Sequence, residues 1–95
     1  MPLANFQGAD LVIQNGAYEF GEDHASLRVL STAWPGAMDL TGTAGAIAGH
    51  HIAASFALEG DRLIICYQLG DGDRPSDLVS PHGSHILLIT FGRIA

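Results

Sequence analysis

The chain contains no lysine, and its only cations are four arginines set against ten acids, a net charge of −6. Nucleic-acid backbones and anionic membrane surfaces are held by clustered positive charge, so this balance argues against both partners. Cysteine is almost absent too. The single Cys66 cannot close an internal disulfide, so no disulfide framework supports the fold and a reducing compartment is the simpler expectation. No stretch approaches the roughly 18 consecutive apolar residues of a membrane-spanning helix. The opening residues, Met1-Pro2-Leu3-Ala4-Asn5, lack the positive start and apolar run of a signal peptide. A cytoplasmic location is therefore expected. Helical periodicity is scarce as well, and twelve glycines favour tight turns over long helices.

What is present suits one small globular domain over residues 1–95, with 47% apolar residues to form its core. A chain of this size buries only roughly 60–65% of its unfolded surface, so its stability is marginal. The excess of acid suits solubility.

Period-two runs recur between turn signals. Leu11-Val12-Ile13 runs into Asn15-Gly16, a pair that readily supplies the positive φ angles of a type I′ turn. Ala17-Tyr18-Glu19-Phe20 is then the returning strand, with Tyr18 and Phe20 on one face. Leu27–Leu30 forms a third strand that stops near Trp34-Pro35-Gly36, and Met38-Asp39-Leu40 a short fourth. The glycine- and alanine-rich stretch from Thr41 to Gly49 reads as a loop or one poor helical turn.

The clearest alternation puts Ile52, Phe56 and Leu58 on one buried face, leaving Ser55 more exposed. Gly60-Asp61 turns the chain into Leu63–Tyr67. A polar turn over Gly70–Pro75 and a short extended piece at Asp77–Val79 follow. Ile86–Phe91, apolar on both faces and ended by Arg93, closes the chain. About seven strands without a helix long enough for a crossover predict an all-β fold: a small antiparallel meander, either barrel or sandwich.

From Met38 onward a series of residues has a family likeness. Met38-Asp39-Leu40-Thr41-Gly42, then Gly45 and Gly49, are followed by Leu58-Glu59-Gly60-Asp61, Leu63, Ile65-Cys66-Tyr67, Arg74-Pro75 and Phe91-Gly92-Arg93. Together they resemble the planctomycete-type uncharacterised domain, over residues 35 to 93. Phe6-x-Gly8 and the Asn15-Gly16 hairpin agree more loosely. The resemblance implies a lipocalin-like barrel and assigns no activity. Family members usually open with a strand carrying a Gly-x-Trp-like motif, ahead of the position of Phe6. This chain starts too late to contain it, and Trp34 stands in the wrong place to substitute. The expectation is a shortened variant whose exposed edge pairs with a second copy, making a homodimer, unless Met1–Gln7 folds back over the gap.

Candidate chemistry is sparse. His50-His51 and His82-x-x-His85 could supply imidazoles to a divalent metal and so to a metal-assisted hydrolase. Neighbours on a strand point to opposite faces, however, and the spacing matches no metal motif, so no metal or other cofactor is expected. Cys66 lies mid-strand between Ile65 and Tyr67 and reads as a core thiol rather than a nucleophile. Ser84 lacks a nucleophile elbow and reads as a turn serine. Glu59 and Asp61 flank Gly60 as hairpin residues rather than an acid/base pair. The stretch Gly42–Gly49 lacks both a dinucleotide fingerprint and a following lysine, so it is no phosphate cradle. Arg74 could reach a carboxylate, with Asp39 a possible partner, and a structural salt bridge is preferred to a ligand contact.

The residues therefore point to a non-catalytic module, with any ligand small, mainly apolar and held among Phe20, Leu40, Phe56, Tyr67 and Leu88, with Arg74 nearby. A homo-oligomeric structural module is the alternative, and an enzyme the least favoured class.

Overall fold

The computed structural model describes residues 5–8 and 10–93. Local turn chemistry explains much of its course. Asn15 and Gly16 both adopt positive φ, 51° and 79°, and this twist joins β2 (Leu11–Gln14) to β3 (Ala17–Phe20) as a two-residue hairpin. β1 (Asn5–Gln7) pairs back onto β2, and β4 (Asp23–Ser31) onto β3. β5 (Gly36–Ala44) returns along β4 and ends in a 3-10 turn at Gly45–Ile47. β6 (His51–Glu59) and β7 (Arg62–Gln68) form the hairpin around Gly60-Asp61, and β8 (Ile86–Gly92) runs beside β7.

The result is a single antiparallel sheet in the order β1-β2-β3-β4-β5-β6-β7-β8. It is an all-β meander curled into a half-barrel, one sheet rather than the two of a sandwich. Eight strands stand where about seven are expected, because three-residue β1 is too short to show a period in the sequence. Asp77–Val79, in contrast, is not a strand. Of the segment Met1–Gln7, residues 5–7 are β1, and residues 1–4 lie outside the described residues.

Inward-facing side chains fill the curl. Met38, Leu40, Ala54, Leu63 and Ile65 are fully buried between Phe6, Leu11 and Ile13 of the first two strands and Phe91 of the last. Phe20 meets Phe91 edge-on across the interior, with ring centroids 5.4 Å apart. Phe56 is buried as expected, its ring lying over Gly36, where a Cβ would come within 2.5 Å of it. The ends of the sheet approach each other: a Cβ on Gly8 would lie 3.1 Å from the carbonyl oxygen of Gly92, and the Arg93 guanidinium stands 4.8 Å from the centre of the Phe6 ring. No ladder pairs β1 with β8 among the described residues.

The long connection from Leu69 to His85 is more than a polar turn. It folds over the outer face of β5, β6 and β7, and this overturns the expected exposure of Ser55. Ser55 is only 1% exposed, and its hydroxyl donates to the Pro75 carbonyl. Arg74 is drawn down beside it. One guanidinium nitrogen donates to the carbonyls of Met38 (2.6 Å) and Ala54 (2.9 Å), and the other to the Asp39 carboxylate at 2.5 Å. Asp39 and Arg74 thus form the structural ion pair that the sequence suggests, reinforced by backbone contacts it does not reveal.

Candidate functional site: an apolar cleft floored by two tyrosines

The period-two geometry of the strands brings Tyr18 and Phe20 of β3, Leu40 of β5, Ile52 of β6, Tyr67 of β7 and Ile89 of β8 to the same end of the interior. They line a cleft of about 190 Å³ with walls that are almost wholly apolar. Leu69 and Leu87, 55% and 44% exposed, complete its rim. Ile47 and Asp23 form the opposite lip.

This lip depends on a close backbone approach. Gly42 accepts a hydrogen bond from the Gly49 N–H and donates to the His50 carbonyl, while a Cβ at Gly42 would fall 1.7 Å from the carbonyl oxygen of Ile47. Only glycine lets the 3-10 turn fold down onto β5 here. The Asp23 carboxylate then fixes the turn by accepting the Ala46 N–H at 2.9 Å.

The deepest lining residues include the cleft's two tyrosines. Tyr18 and Tyr67, 3% and 4% exposed, approach edge-on and share a hydrogen bond of 2.8 Å between their hydroxyl oxygens. Burial holds both in the neutral form. The Tyr18 phenol is pushed up to about 12, chiefly by burial, with Asp23 adding to the rise and the bond from Tyr67 opposing it. Tyr67 is raised further, by burial first and then by the charge and hydrogen bond of Tyr18.

Three of the six expected ligand residues, Phe20, Leu40 and Tyr67, meet in this cleft. Phe56 faces the same interior but stands four residues beyond Ile52 on β6, about 13 Å along the strand. There it lines a second cleft, of about 480 Å³, with Trp34, Gly36 and Leu58. Leu88 is a correction. It pairs with Cys66, whereas Leu87 pairs with Tyr67, so Leu88 points to the outer face and away from the cleft. Arg74 is a correction as well, since it serves the outer face through Asp39, Met38 and Ala54.

Tyr18 is the site residue the sequence underplays. Its place on the Phe20 face was readable, but its bond to Tyr67, 49 residues away, was not. Asp23 and Ile47 carry no local signal, because the folded turn creates their roles.

The other candidates occupy separate places. His51 leans towards Asp39 at 3.8 Å, and the backbone carbonyl of His85 accepts the Leu69 N–H. Ser84 donates to the Pro81 carbonyl at 2.6 Å, as a turn serine does. Cys66 is fully buried under the 69–85 connection, and burial, then the negative charge of Asp77, raises its thiol. No helix among the described residues is long and apolar enough to cross a membrane. Compared with known proteins, the chain matches no family model, no curated protein and no solved structure.

Proposed function

We propose that the protein is a non-catalytic binding module that takes up a small, mainly apolar molecule in the cleft above Tyr18 and Tyr67. The cleft itself carries the proposal: about 190 Å³ of apolar space open at one end of a filled interior. An engineered apolar cavity of about 150 Å³ is large enough to bind benzene. A binding rather than catalytic role is supported by the state of the polar groups. The tyrosines are held neutral, Asp23 is engaged with the Ala46 N–H, and the Cys66 thiol is raised and covered.

The same proposal includes membership of the planctomycete-type family and a lipocalin-like barrel. Its support is that residues of the resemblance hold structural duties: Gly42 admits the 3-10 turn, and Asp39 and Arg74 pair. The lone buried thiol of Cys66 is consistent with a cytoplasmic location. The net charge of −6 favours neither nucleic acid nor an anionic membrane as partner.

A second reading, a homodimer, is favoured by one observation: Leu69 and Leu87 expose apolar surface side by side at the cleft rim. The edge argument for it is weaker than the sequence suggests, because β1 lies where Gly8 approaches Gly92.

Thermal denaturation with increasing benzene tests the binding proposal. A ligand that binds only the folded state raises Tm in a saturable manner. A Tm unmoved up to the solubility limit of benzene contradicts the proposal.

A further inference from the structure

Two of the side chains that line the cleft, Tyr18 and Tyr67, carry hydroxyls, and therefore two hydroxyl protons. The 2.8 Å bond between Tyr18 and Tyr67 uses one of them. The other proton has no further protein acceptor among the described residues, although both side chains are more than nine-tenths buried. A buried donor without an acceptor is costly, and the open space available to it is the cleft that both rings line. From this unspent proton we infer that the cleft selects a neutral apolar molecule carrying one hydrogen-bond acceptor, such as a ketone, aldehyde or ester carbonyl, which accepts from the Tyr18–Tyr67 pair.

The inference rests on the cleft being a ligand site and adds the ligand's chemical class. Anions are disfavoured for two reasons. The Asp23 carboxylate stands on the lip through which a ligand enters, and a charge carried to the apolar floor loses its hydration without meeting a cation. A pure hydrocarbon fills the space and leaves the proton unsatisfied. The hydroxyl pair also acts as a unit, because the tyrosine that accepts its neighbour's proton has its own remaining O–H polarised by that bond.

Cyclohexanone and methylenecyclohexane make a suitable pair of probes, nearly equal in shape and differing by a carbonyl. Their affinities are measured by titration on the full chain and on the Tyr18→Phe/Tyr67→Phe double variant. Removing both hydroxyls together leaves no stranded partner, so folding should survive. The expected result is that the ketone-over-hydrocarbon affinity ratio falls about tenfold or more in the double variant, the equivalent of one hydrogen bond to a buried donor. Cyclohexanecarboxylate should bind the unmodified protein at least about tenfold more weakly than cyclohexanone.

A measurement on the unmodified protein covers the case in which the variant does not fold. The carbonyl ¹³C resonance of bound, labelled cyclohexanone should stay near its hydrogen-bonded position in water. A shift to the position seen in hydrocarbon solvent overturns the inference while leaving the apolar cleft intact. So does an unchanged affinity ratio, or carboxylate binding as tight as the ketone's. Failure of both neutral probes to bind saturably removes the cleft as a site, and the inference with it.

Discussion

The Ser55 hydroxyl donates to the carbonyl of Pro75, twenty residues further along the chain, and both residues are buried by the contact. The bond ties the 69–85 connection to the outer face of β6, and Arg74 next to it does the same for β5. Ser55→Ala strands a buried carbonyl, so we expect a loss of about 1–3 kcal/mol in urea titration. Proteolysis within 69–85 should accelerate in the same variant. A loss within experimental error, with unchanged cleavage, contradicts this anchoring.

Arg74 and Asp39 should be coupled. Each is less than a third exposed, and Arg74 also serves two backbone carbonyls. Arg74→Ala should therefore cost more than Asp39→Ala, because it removes three hydrogen bonds rather than one. Arg74→Lys should not restore stability, since a single ammonium cannot reproduce the planar fork. Equal stability of the Lys variant and the parent in chemical denaturation would show that the fork geometry is unimportant.

How much of this was legible in the sequence varies from residue to residue. The Asn15-Gly16 and Gly60-Asp61 hairpins were readable because turn chemistry and period-two alternation are local properties. The same alternation placed Phe20, Leu40, Phe56 and Tyr67 in the interior. It could not say which end of a nine-residue strand holds the cleft, so Phe56 was grouped with residues about 13 Å away. Ser55 and Leu88 were misjudged for separate reasons. Alternation assigns the face of Ser55 correctly relative to its neighbours, but a segment distant in sequence covers that outer face. For Leu88, apolar residues on both sides of β8 hide the strand's orientation. The Tyr18–Tyr67 bond joins positions that no local pattern connects.

Alkaline pH should reveal the tyrosine floor. Tyr18 ionises only at about 12 in the folded chain, against an ordinary value of 10.0 in the unfolded one, and Tyr67 is raised as well. The unfolded chain therefore loses these protons first. Their contribution to stability is complete below pH 10 and falls as the pH rises above it, that of Tyr18 being lost by about pH 12. Because the protein has only two tyrosines, tyrosinate absorbance reports this pair alone. Absorbance should remain low near pH 10 and rise together with loss of the fold. An independent rise centred on pH 10 with the fold intact would contradict their burial.

Core and rim substitutions should separate. Phe56→Ala should cost about 3–5 kcal/mol as a large-to-small change in a filled interior, and a loss below about 1 kcal/mol would contradict its packing over Gly36. Ile89→Asp should unfold the chain, because Ile89 pairs with fully buried Ile65. Leu87→Asp, at the exposed rim, should leave the monomer folded and shift light-scattering mass towards the 10.0 kDa of one chain. A parent protein that already scatters as one chain at micromolar concentration would sink the homodimer.

The occupied end of the interior is the point on which the account turns, and intermolecular nuclear Overhauser effects from bound benzene locate it directly. We predict contacts from benzene protons to Ile52, Ile89 and the ring of Tyr67, and none to Trp34 or Leu58 of the second cleft. Contacts to Trp34 and Leu58 instead, or contacts spread over the surface without preference, would contradict the cleft above the two tyrosines as the binding site.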